Sequence, residues 1–176
     1  MGTFMTSASF RRPAHINWSE IKPKIEAMYQ DVDGLVSNLD QEKDAYAIVS
    51  PHGDLGMFLQ GIPQAVTQLT GDYAVLCACV DSDFALLELY HNGQLLEESV
   101  LGRMDMGIAS EVEAFAALKT PALELWEPLL LNAENRAELL RAFTENAIFV
   151  EDQLIKLSDL TGIPIFDDTL VCGVDF

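Results

Sequence analysis

The sequence predicts an α+β fold, an antiparallel sheet with helices packed on one side and a mainly helical C-terminal half. From about residue 73 to residue 100 the chain reads as three apolar runs separated by turn signals, a three-strand meander. One or two further strands are expected between about residues 45 and 60. Beyond Gly102 the apolar residues fall at helical spacing. At 176 residues and 49% apolar content the chain is sized for one domain with a substantial core. The expected organisation is a flexible N-terminal arm over residues 1–14 and a single α+β domain over residues 15–176.

Asn17-Trp18-Ser19-Glu20 reads as a capped helix start, followed by Ile21, Ile25 and Met28 at helical spacing. Pro23 is tolerated near the first turn, and the helix should fade by Asp33-Gly34. Ala45 to Ser50 is a strand, Pro51-His52-Gly53-Asp54 a turn, and Gly56 to Gln60 a second short strand. Ile62 to Leu69 is a short helix opened by Pro63 and closed by Gly71.

Tyr73 to Val80 is apolar on both alternating faces, as in a central strand covered from two sides. Asp81-Ser82-Asp83 turns the chain into Phe84 to Tyr90. His91-Asn92-Gly93 turns it again, because Asn-Gly accepts the positive φ of a type I′ turn. Leu95 to Val100 completes the meander, with Glu97 and Glu98 marking an edge. Helix starts follow at Ser110-Glu111-Val112-Glu113, at Thr120-Pro121 and at Asn132. A last helix carries Val150, Leu154 and Leu157 on one face and ends at Gly162. Ile165 to Phe176 adds a strand or packs as an extended segment.

Charge bounds the partners. There are 28 acidic and 10 basic residues, a formal net charge of −18. With so much apolar residue the charge must clothe a folded surface rather than a disordered chain. Such a surface repels nucleic-acid phosphates and anionic lipid and attracts basic partners. Between Glu26 and Glu98 the sole basic residue is Lys43, so the central segment is the most electronegative. Three cysteines (Cys77, Cys79 and Cys172) make no disulfide framework. No apolar run approaches the ~18 residues of a membrane span. The expected setting is cytoplasmic.

The chemical motifs are sparse. Asp81-Ser82-Asp83 after an apolar strand resembles the Asp-x-Asp start of haloacid-dehalogenase-type phosphatases. That resemblance implies Mg²⁺, Asp81 as nucleophile and Asp83 as the leaving-group acid. It covers about eight residues, and Phe84 to Tyr90 continues directly as a strand where such enzymes carry an extended loop. Asp81, Asp83 and Glu88 do not follow EF-hand spacing. Cys77 and Cys79 share one strand face without a histidine or cysteine cluster beside them, so they read as core. His52 with Asp54 is the sole His–carboxylate pair close in sequence, and it reads as a polar turn.

Phe84, Leu86, Glu88 and Tyr90 alternate on one strand face. If open, that face is a mixed apolar and acidic surface of the kind that docks a basic protein. The leading expectation is therefore a non-enzymatic acidic protein-binding domain, in one concrete version a bacterial immunity- or antitoxin-like inhibitor. Asp81, Asp83, Glu88, Tyr90, Glu97 and Glu98 would be its partner-binding residues. No motif calls for a cofactor. The alternatives are a divalent-metal hydrolase or phosphatase on Asp81 and Asp83, and a homodimeric scaffold or regulatory domain.

Overall fold

A computed structural model of the chain describes residues 4–52, 59–102, 118–145 and 147–171. Its strands are β1 (Met5–Arg11), β2 (Val36–Ser37), β3 (Ala45–Ser50), β4 (Tyr73–Val80), β5 (Phe84–His91) and β6 (Gln94–Gly102). They pair antiparallel in the order β2-β3-β1-β4-β5-β6. The helices are α1 (Trp18–Glu26), α2 (Gly61–Thr70), α3 (Leu123–Trp126), α4 (Arg136–Thr144), α5 (Val150–Thr161) and α6 (Asp168–Val171). The class is α+β and the meander forms where the sequence places it.

The meander's two turns work by the same device. Asn92 and Gly93 have φ of 50° and 75°, and Asp81 and Ser82 have 51° and 59°. Positive φ matches the turn to the twist of the flanking strands. Asn-Gly announces this in sequence, whereas Asp-Ser does not.

The N-terminus corrects the expected arm over residues 1–14. Met5 to Arg11 is β1, an interior strand hydrogen-bonded to β3 on one side and β4 on the other. Met5, Ala8 and Phe10 are buried. Ser7 and Ser9, which make the segment look like solvated chain, are buried too. Their hydroxyls donate to the carbonyls of Ile165 (2.9 Å) and Pro164 (2.7 Å). A buried hydroxyl is tolerated once it is paired.

The helices also lie on both faces, not one. Ala8, Phe10, Tyr46, Ile48 and Leu76 pack with Ile25 of α1 and with Ile62 and Val66 of α2. Met5, Val75, Cys77, Leu87 and Leu89 pack with Trp126 of α3, Leu139 and Phe143 of α4, and Leu154 and Leu157 of α5. Strands that are apolar on alternate and intervening positions alike need a cover on each side. Arg11 locks one end of β1. Its guanidinium donates to the carbonyls of Leu129 (3.0 Å) and Thr161 (3.2 Å) and pairs with Asp72 at 3.2 Å.

Smaller departures are local. Asn17 occupies the N-cap position of α1, but its side chain makes no capping bond. The helix after Thr120-Pro121 begins at Leu123, with Ala122 at its N-cap. Asn132 caps a short 3₁₀ turn (Ala133–Asn135) that leads into α4. Ile163 and Ile165 are buried as extended chain before the short α6, and among the described residues the tail adds no strand. The strand expected over Gly56 to Gln60 lies mostly outside the described residues, and Leu59 and Gln60 lead into α2. Ser110 to Glu113 and Cys172 also lie outside them.

Candidate functional site

The β4–β5 turn is a docked hairpin end. The Val150 backbone N–H donates to the Ser82 carbonyl at 3.0 Å. The Ser82 hydroxyl donates to Glu151 in the first turn of α5. Asp81 is exposed and Asp83 half-buried. Gly102 closes against this turn with φ of +86°, and a Cβ there would sit 2.3 Å from the Asp83 carbonyl oxygen. Among the described residues, no group of three or more His, Cys, Asp and Glu side chains is placed to hold a metal ion.

The other end of the meander is fixed to α2. The Gly93 N–H donates to the Thr67 hydroxyl at 2.9 Å, and Gln64 Nε2 donates to the Gly93 carbonyl at 3.1 Å. Between these anchors lies the acidic face. Glu88 of β5 stands directly opposite Glu98 of β6. The Val100 N–H turns outward to the Lys119 carbonyl at 2.9 Å. By alternation, Leu86–Val100 and Glu88–Glu98 are therefore the non-hydrogen-bonded pairs, whose side chains stand closest. Two like charges in that position destabilise the ladder.

Among the described residues no cation pairs with them. The basic residues in ion pairs are Arg11, Lys22, Arg136, Arg141 and Lys156, and none of these pairs with Asp81, Asp83, Glu88 or Glu98. Lys119 lies beside β6 without an ion pair among the described residues. Glu88 instead accepts a hydrogen bond from the Tyr90 hydroxyl. Burial, reinforced by that carboxylate, pushes the Tyr90 phenol above its ordinary value. Leu95 and Leu96, at the start of β6, are 44% and 38% exposed.

The six residues expected to form one surface divide into four. Asp81 and Asp83 sit at the turn, about 17 Å along the strand from Glu88 at ~3.4 Å per residue. Glu88 and Glu98 share one face, but Tyr90, expected to meet a partner there, is instead buried in the core with Ile62 and Val66 of α2, which cover that end of β5. Glu97 faces the opposite way and is occupied. Its carboxylate accepts the Ala122 N–H at 2.7 Å and the Trp126 indole N–H at 2.8 Å.

Cys77 and Cys79 are core. Burial pushes the Cys77 thiol well above its ordinary value and the Cys79 thiol up to about 12. A thiolate nucleophile is thereby disfavoured. The His91 ring stacks on Tyr73 at 4.2 Å. His52 is exposed, and its neighbour Asp54 lies outside the described residues.

A second feature has only a weak trace in the sequence, the N-terminal clustering of basic residues. A cleft of about 530 Å³ opens beside the N-terminus of α1, lined by Arg12, Trp18, Ser19, Lys22, Glu42 and Tyr46 among others. The strand β3 brings Tyr46 to it and α1 brings Trp18, which stacks on Tyr46 with ring centroids 4.3 Å apart.

Compared with family models, curated proteins and solved structures, the chain matches none. Among the described residues no helix is long and apolar enough to cross a membrane.

Proposed function

We propose that this chain is a non-enzymatic protein-binding domain that takes a basic partner on the β5–β6 face. The observation that carries the reading is the opposed Glu88–Glu98 pair, set side by side with no ion pair to a cation among the described residues. A lysine or arginine from a partner relieves the repulsion and gains a charge-assisted hydrogen bond. Exposed Leu95 and Leu96 supply adjoining apolar contact. The face is held at both ends by α2 and α5, so little ordering entropy is lost on binding. The net charge of −18 adds long-range capture of a cationic protein. An immunity- or antitoxin-like inhibitor of a cationic protein is the concrete form of this reading. No observation favours hydrolysis at Asp81 and Asp83, and the same charge opposes pairing of two copies through this face.

The test is affinity capture from the source lysate at low and high salt, run with the native chain and with a Glu88→Gln/Glu98→Gln variant. A basic protein held at near-stoichiometric yield, released by salt and held weakly by the variant, is the expected result. Equal retention by the variant removes the face from the proposal, and no enriched basic protein removes the function.

A further inference from the structure

A second cleft, of about 510 Å³, opens where the last turns of α5 and the chain that follows them meet the start of β3. Asn38 lines it and is only 2% exposed. Its Oδ1 accepts the Ala47 backbone N–H at 2.9 Å. A backbone N–H can only donate, so this bond fixes which end of the amide is oxygen. The other end, Nδ2, makes no hydrogen bond among the described residues, yet it is not sealed from solvent, so it opens into the cleft. A buried amide donor without an acceptor favours a ligand that brings one.

The rim asks for a cation. Among the described residues it carries three carboxylates, Asp44, Asp159 and Asp167, and one cation, Lys43. None of the three carboxylates joins an ion pair among those residues. Asp167 commits one oxygen, Oδ1, to the backbone N–H and hydroxyl of Thr169, which leaves Oδ2 for a cation. Ile155, 42% exposed, and Phe166 form an apolar wall beside these charges. The cleft thus sets a buried donor, a net negative rim and an apolar wall together.

From this we propose that the cleft captures the amino terminus of a peptide with an apolar first side chain. The ammonium lies against Asp159 and Asp167, the first carbonyl accepts from Asn38 Nδ2, and the side chain covers Ile155 and Phe166. A free amino acid fits less well, because its carboxylate meets three aspartates and one lysine. The site does not depend on the β5–β6 face and stands if that reading fails.

The probes are leucinamide, which carries the ammonium and the carbonyl, N-acetyl-leucinamide, which lacks the cation, and leucine, which adds a carboxylate. Each is titrated into the full chain by calorimetry, and the Asn38 side-chain amide is followed by ¹⁵N NMR. Leucinamide is expected to bind saturably, to shift the Asn38 Nδ2 resonances, and to weaken as salt rises. N-acetyl-leucinamide should give no saturable signal, and leucine should bind at least about tenfold more weakly than leucinamide. Asp159→Asn/Asp167→Asn, which keeps an acceptor for Thr169, should weaken leucinamide at least about tenfold, with its thermal midpoint showing that the fold is kept. The native-chain titrations decide the matter whether or not that variant folds. No saturable leucinamide signal, equal binding of the acetylated probe, unchanged affinity in the folded double variant, or binding that leaves the Asn38 resonances unmoved would each overturn the site. Leucine binding as tightly as leucinamide overturns the assignment to a peptide terminus.

Discussion

Glu97 Oε2 accepts the indole N–H of Trp126 at 2.8 Å while Oε1 accepts the Ala122 backbone N–H at 2.7 Å. One carboxylate on β6 thus both caps α3 and satisfies the polar end of a fully buried tryptophan. Glu97→Ala orphans both donors and should lower stability by roughly 2–6 kcal/mol, at ~1–3 kcal/mol for each unsatisfied group. Glu97→Gln keeps one acceptor and should lose less. Urea unfolding at neutral pH measures both, and a Glu97→Ala midpoint equal to the native one contradicts the structural role.

Its neighbour Glu98 should behave in the opposite sense. Glu98→Gln relieves the repulsion from Glu88 and should raise stability by about 0.2–1 kcal/mol at low salt. The gain should shrink as salt screens the pair. A loss of stability at low salt would show that the two carboxylates do not repel in the folded chain.

Phe10 tests the position of β1. It is buried against Tyr46 and Trp18, with ring centroids 5.9 and 6.3 Å away. Phe10→Ala should cost about 3–5 kcal/mol, the usual range for a buried aromatic. A flexible arm would lose almost nothing, so a small change in the denaturation midpoint would return residues 5–11 to that reading.

The thiols set a pH dependence. Burial lifts Cys79 from 9.0 to about 12 and lifts Cys77 well above 9.0. The folded chain therefore holds protons that the unfolded chain releases above pH 9. The stabilisation is complete below that pH and is lost as pH rises toward 12. Tyr29 and Tyr90 are raised in the same direction. A Cys77→Ala/Cys79→Ala variant should show a shallower fall in stability above pH 9, followed by chemical unfolding at stepped pH. An unchanged slope would mean that the thiols ionise freely in the fold.

How much was legible depends on whether the information was local. The meander was readable because each strand carries its own apolar alternation and Asn92-Gly93 its own turn chemistry. The place of β1 was not, because Ser7 and Ser9 become core residues only through carbonyls some 155 residues away. Glu97 and Glu98 look alike in sequence. One faces Trp126 and the other faces solvent, and alternation along β6 separates them once the register is known. The cleft left little trace, since Arg12, Trp18 and Tyr46 gather only when β1, α1 and β3 assemble.

The central place of β1 also orders events at the ribosome. Residues 5–11 are made before their sheet neighbours β3 and β4, which follow within about seventy residues. The carbonyls of Pro164 and Ile165 that pair Ser9 and Ser7 emerge more than 150 residues later. Until then the nascent sheet exposes an apolar face that the C-terminal helices cover. Closure of this fold thus waits on the C-terminal helices, and a chain that stops short of them leaves β1 uncovered on one side.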